Sequence, residues 1–169
     1  MKKIRKLKEQ SYKHFNNISD IQYFMRKSLN NFRRIKNPSE ELQLEAVKQN
    51  GHCIYYIKEP SEEVQQVAVK NIGSSIQYLK DPSEEVCKLA VQQYGASIQY
   101  IDKPSFQVQQ IAVQRNGYAI QFIKNPSEEV CKLAIQEDRG AFHHIKNPSP
   151  SVYKFVISLN PKNIDIIKI

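Results

Sequence analysis

The chain has 169 residues and a formal net charge of +8; 40% of its residues are hydrophobic and 25% charged, the balance of a globular protein of about one domain. No apolar run approaches the roughly 18 residues that a membrane helix needs, and the basic start Met1-Lys2-Lys3-Ile4-Arg5-Lys6 is followed by no apolar core of a secretory signal, so the expected location is the cytoplasm. The charge is unevenly placed: residues 1–36 hold 11 Lys and Arg against Glu9 and Asp20, whereas residues 37–169 hold 14 bases against 15 acids and are close to neutral.

In chain order, residues 1–36 read as a basic helical cap. Ile4, Leu7, Phe15 and Ile18 suggest one amphipathic helix. Ile21, Phe24, Met25, Leu29 and Phe32 follow helical spacing in a second, with Ser19 and Gln22 placed as a capping box. Phe32 to Asn37 aligns with Phe142 to Asn147, so residues 16–37 read as a degenerate copy of the unit that recurs from residue 38 onward.

That unit is marked by its prolines. They stand at 38, 60, 82, 104, 126 and 148, a strict spacing of 22, and each is followed by Ser. Four copies continue with Glu-Glu, and all six place Leu or Val four residues after the Pro. Ala46-Val47 and its equivalents come next, then Gly51, Gly73, Gly95 and Gly117. The units are 38–59, 60–81, 82–103, 104–125, 126–147 and 148–169. Each predicts two short helices. In the first, Asn37, Asp81, Asn125 or Asn147 is the expected N-cap, Pro takes the first helical position, and Glu40, Glu84 or Glu128 closes a capping box. The glycine is expected to end that helix in a left-handed conformation. The second, such as Ser75 to Lys80, buries Ile76 and Leu79. Neither helix is long enough to be stable alone, so the units must stack, and the predicted fold is an all-α solenoid of six two-helix repeats behind an N-terminal helical cap. Ile164, Ile166, Ile167 and Ile169 leave an apolar C-terminal end, suited equally to a homodimer contact or to capping itself.

Candidate chemistry is thin. Cys87 and Cys131 share a repeat position two units apart, too far to form a disulfide, and with Cys53 they read as small packed residues; Gln65 and Gln109 hold the same place in other units. His143 and His144 are adjacent, which is poor metal geometry. The Glu pairs recur where a helix dipole favours carboxylates. No nucleophile triad, phosphate loop or metal motif is present. The reading is therefore of a protein that is not an enzyme, with no cofactor, metal, small-molecule substrate or membrane partner.

Two features suit macromolecular partners. One is the basic segment with Lys2, Lys3, Arg5, Lys6, Lys8, Arg26, Lys27, Arg33 and Arg34, complementary to an acidic protein surface or to a nucleic-acid backbone. The other is an aromatic row, Tyr56, Tyr78, Tyr100, Phe122 and His144, with Gln77, Gln99 and Gln121 beside it. Such a row either packs between units, or contacts a protein, or stacks on single-stranded bases. The expected function is a protein-interaction module, and the alternative is RNA or DNA binding through the basic segment and the Tyr/Gln row.

The string Ala46-Val47-Lys48-Gln49-Asn50-Gly51 with Ile54 and Tyr56 resembles a short helical repeat of uncharacterised function, found in bacterial, phage and giant-virus proteins. The Asn-Pro-Ser-Glu-Glu-Val units resemble leucine-rich-repeat-variant proteins. The resemblance spans residues 37–169 and implies a helical solenoid with no catalytic motif. One variant-repeat protein carries an iron–sulfur cluster on a Cys cluster that this chain lacks. The phage members imply a further expectation, a phage-encoded inhibitor acting in the host cytoplasm on a CRISPR-type defence complex.

Overall fold

The structure, a computed structural model, describes residues 32–33 and 35–159; the basic segment before Phe32, Arg34 and the apolar C-terminal end lie outside the described residues. Among the described residues six α-helices of ten residues each recur at the repeat interval: α1 (Glu40–Gln49), α2 (Glu62–Asn71), α3 (Glu84–Gln93), α4 (Phe106–Arg115), α5 (Glu128–Glu137) and α6 (Pro150–Leu159). Between them lie five 3-10 helices of six residues: η1 (Gly51–Tyr56), η2 (Gly73–Tyr78), η3 (Gly95–Tyr100), η4 (Gly117–Phe122) and η5 (Arg139–His144). Each α-helix packs on the next, each 3-10 helix packs on the next, and helices α2 to α5 also pack on the 3-10 helix of the unit before. The molecule is an all-α solenoid of two layers, with Val64, Ala68, Val69 and Ile76 and their equivalents sealing the space between.

The helix starts differ from the expected caps. Ser39, Ser61, Ser83, Ser105 and Ser127 are the N-caps, each in extended conformation, each accepting at Oγ the N–H three residues on. The proline stands one residue before the cap. Asn37, Asp81, Asn125 and Asn147 instead take positive φ, as do Glu59 and Lys103 at the same position (φ 49° to 55°). Reversing the chain from 3-10 helix to α-helix in so few residues requires one left-handed residue, and Asn and Asp bear it best. The expected capping box is absent because Glu40, Glu84 and Glu128 are the first helical residues, not the third, and cannot reach the cap's N–H. Their carboxylates accept from the serine of the next unit: Ser61 to Glu40, Ser83 to Glu62 (2.7 Å), Ser105 to Glu84 (2.6 Å) and Ser149 to Glu128 (2.6 Å). Phe106 replaces the glutamate in the fourth unit, so the bond is missing at Ser127.

The glycines also play another part. None has positive φ. Each opens a 3-10 helix against the next α-helix: a Cβ on Gly73 would lie 2.5 Å from the Ala90 carbonyl, and one on Gly95 2.6 Å from that of Ala112. Glycine is there because two backbones touch. The α-helix ends instead on an extended residue such as Ile72, whose N–H returns to the Ala68 carbonyl. Ser–Glu bonds at one end and glycine–alanine contacts at the other show that successive α-helices run the same way.

Arg139 occupies the glycine position of the fifth unit, and the stacking changes there. Helix α6 packs on α5 but scarcely meets the backbone of η5. Two aromatics fill the wider gap: Phe142 in the isoleucine row and Tyr153 in the glutamine/cysteine row meet edge to face at 5.5 Å. At the other end of the array Phe32 is buried (1% exposed) and its carbonyl accepts from Ile35 N–H (3.0 Å), as Ile76 does from Leu79. Phe32 and Ile35 thus share the backbone hydrogen bond of Ile76 and Leu79.

Candidate interaction surface

A 3-10 helix has three residues per turn, so its residues i and i+3 eclipse. In η2 this aligns Gly73, Ile76 and the adjoining Leu79 toward the core, and leaves Gln77 and Tyr78 outside. The same phase in every unit puts Tyr56, Tyr78, Tyr100, Phe122 and His144 in one file, each the last residue of its 3-10 helix. All are exposed, the tyrosines and Phe122 from 37% at Phe122 to 46% at Tyr56. Tyr78 is braced edge to face by His52 and Tyr55 of the unit before (5.6 and 5.2 Å), and His144 by Tyr118 (5.3 Å). Phe122, which has no hydroxyl, is exposed to nearly the same extent as the tyrosines.

Gln77, Gln99 and Gln121 are exposed beside this file, but their amide nitrogens donate to the carbonyl three residues back, Ser74, Ala96 and Tyr118, each at 3.0 Å. They staple their own 3-10 helix with one N–H and keep the second N–H and the carbonyl oxygen for other partners. Arg33 is exposed at the equivalent position next to Phe32. Lys2, Lys3, Arg5, Lys6, Lys8, Arg26, Lys27 and Arg34 fall outside the described residues.

Along the C-terminal part of this file the surface is grooved. Tyr100 borders one groove of about 490 Å³ toward the second unit, with Lys80, Pro82 and Asp102. A second, of about 540 Å³, lies between Tyr100 and Phe122 and is lined by Lys103, Pro104 and Lys124. A third, of about 470 Å³, lies between Phe122 and His144 with Lys124, Pro126 and Lys146. The walls come from the linkers that carry the left-handed residue and the proline. A fourth recess, of about 310 Å³, lies on the opposite edge among Tyr94, Arg115, Asn116 and Glu137, and lacks the aromatic file. The lysines Lys58, Lys80, Lys124 and Lys146 form a row two residues after the aromatics. They take part in neither of the two ion pairs among the described residues, Lys88–Glu84 and Lys132–Glu128. Their repeat position, held by Asp102 in the third unit, was visible in the sequence, but only the linker geometry reveals that Lys80, Lys124 and Lys146 border grooves.

The remaining candidates stay apart. Cys53, Cys87 and Cys131 are free and buried, and burial raises all three thiols, Cys53 to about 11. Cys87 lies near the Pro82 carbonyl (3.9 Å), where Gln65 and Gln109 make firmer bonds to Pro60 and Pro104 (3.0 and 2.9 Å). Among the described residues no three of His, Cys, Asp and Glu gather to hold a metal ion, and no helix is long and apolar enough to cross a membrane. Protein-family models, curated proteins and solved structures include no match to the chain.

Proposed function

We propose that the protein is a non-enzymatic interaction module that grips an extended segment of a partner protein along the aromatic file. The observation that carries this reading is the repeated exposure of Tyr56, Tyr78, Tyr100 and Phe122 at one position of consecutive units, with a groove between Tyr100 and Phe122 and another beside Tyr100 toward the second unit. Aromatic side chains supply large contact area for little conformational entropy and are enriched where binding energy concentrates. A solenoid sets such side chains on a rigid, regular line, so an extended chain can use each in turn. The charge on this edge favours a protein over a nucleic acid: Glu59, Glu62, Glu63, Asp81, Glu84 and Glu85 flank the lysines of the first units and would repel phosphates.

A displayed library of unstructured peptides, selected on the intact protein, tests this. Enriched peptides should bind the parent at least tenfold more tightly than a Tyr78→Ser/Tyr100→Ser/Phe122→Ser variant of unchanged helical circular dichroism, and should tolerate 200 mM salt. Failure to enrich any peptide, together with oligonucleotide binding that collapses between 50 and 200 mM salt, would replace this reading with the nucleic-acid one.

A further inference from the structure

The period of the surface restricts what fits it. Packed helices stand about 8–10 Å apart, so the aromatic file offers one ring and one groove at about that interval. A β-strand rises about 3.3 Å per residue and turns alternate side chains to opposite faces. Its same-face residues recur every 6–7 Å and slip out of register with the grooves within two units. A polyproline II helix has three residues per turn and about 3.1 Å rise, so one side recurs about every 9.3 Å. That lies within the interval at which packed helices repeat. The lining suits such a ligand as well, since polyproline II segments dock on exposed aromatic rings with grooves between them, and their preset backbone loses little entropy on a shallow site.

Charge sets the polarity of the ligand. The Tyr100–Phe122 groove carries Lys103 and Lys124 against Asp102 alone, and the Phe122–His144 groove carries Lys124 and Lys146 with no acid among its lining residues. These lysines are exposed and, among the described residues, without an ion-pair partner. Farther toward the N-terminus Lys58 and Lys80 are each followed by an acid, Glu59 and Asp81, and the local charge cancels.

We infer that the aromatic edge of the third to fifth units recognises a proline-rich polyproline II segment with an acidic residue at every third position. This rests on the proposed capture of a protein segment and narrows it to one ligand conformation and charge.

Fluorescence anisotropy with four labelled twelve-residue peptides tests it on the full-length chain at about 150 mM salt, where exposed charges beyond about 8 Å are largely screened. The first peptide repeats Glu-Pro-Pro and spans about 37 Å, four turns, enough to cover the two intervals from Tyr100 to His144 with a turn beyond each end. The second repeats Glu-Gly-Ser, with the same charge and no polyproline preference. The third repeats Lys-Pro-Pro. The fourth keeps four glutamates in proline but sets them at positions 1, 5, 9 and 12, off the three-residue period. The first should bind at least tenfold more tightly than each of the others. Phe122→Ser should weaken it at least fivefold, as should Lys124→Ala with Lys146→Ala, two exposed changes that leave the core intact. Equal binding of the Glu-Gly-Ser peptide, or of the off-period peptide, would overturn the polyproline II inference and leave the protein-segment reading standing. Failure of all four while library-selected peptides of other composition bind has the same meaning. Failure of every peptide together with oligonucleotide binding removes both.

Discussion

Ser97 shows how the repeat reveals a local cost. Its hydroxyl is fully buried and, among the described residues, has no hydrogen-bond partner, whereas Ser75 at the same position meets His52 Nδ1 at 3.2 Å. The next two units place Ala119 and Ala141 there, both fully buried. A buried orphan hydroxyl costs about 1–3 kcal/mol, so Ser97→Ala should raise stability by about 1 kcal/mol in urea unfolding; a loss of that size would mean that the hydroxyl has a partner. Cys53 gives a pH dependence. Its folded thiol is pushed up to about 11 from an ordinary 9.0. Below pH 9 both folded and unfolded thiols are protonated and its contribution is fully present. As pH rises from 9 to 11 the unfolded thiol ionises first, so stability falls across that window. Cys53→Ala should flatten the decline, measured as the difference between the two unfolding midpoints. The residue types of the site were legible in the sequence. Their accessibility was not, because exposure of Tyr78 depends on the three-residue phase of η2 and not on the 22-residue interval.

The linkers are where elements become an array. Ser83 caps α3 and also donates to Glu62 of the unit before; Ser127 caps α5 with no such donation, because Phe106 stands where the glutamate would be. Replacing an N-cap serine by alanine costs about 1 kcal/mol. Ser83→Ala should therefore cost more than Ser127→Ala, by about 0.5 kcal/mol for one exposed charge-assisted bond. Equal losses would show that the bond between units contributes nothing in solution. Two short helices per unit, punctuated by proline and glycine, were readable from spacing alone. The cap was misplaced by two residues because Asn and Asp serve equally well as N-caps and as left-handed residues. Only the backbone direction at positions 37, 81, 125 and 147 decides between those roles. The 3-10 form of the second helix was not legible, since six residues are too few for its period to differ visibly from that of an α-helix.

Across the whole molecule, cooperation between units depends on close backbone contact. Stability of a repeat array is a sum of unit terms and neighbour interfaces. The junction at Arg139 has lost the glycine–alanine approach and is bridged by Phe142 and Tyr153. Helix α6 should then open at lower free energy than the interior helices. In native-state hydrogen exchange the amides of Tyr153 to Leu159 should lose protection before those of Val86 to Gln93; equal protection would show that the aromatic bridge replaces the missing contact in full.

Much of this was present in the chain before folding. A 22-residue period, apolar positions four and eight residues after each proline, and helices too short to stand alone admit little besides a stacked helical array. Tertiary structure alone decided which side of the array is available to partners. Exposure of the aromatic file, the grooves beside it and the unpaired lysines at their rims arise from neighbouring units set against one another. A single unit contains one ring and one lysine, but half of each groove belongs to the next.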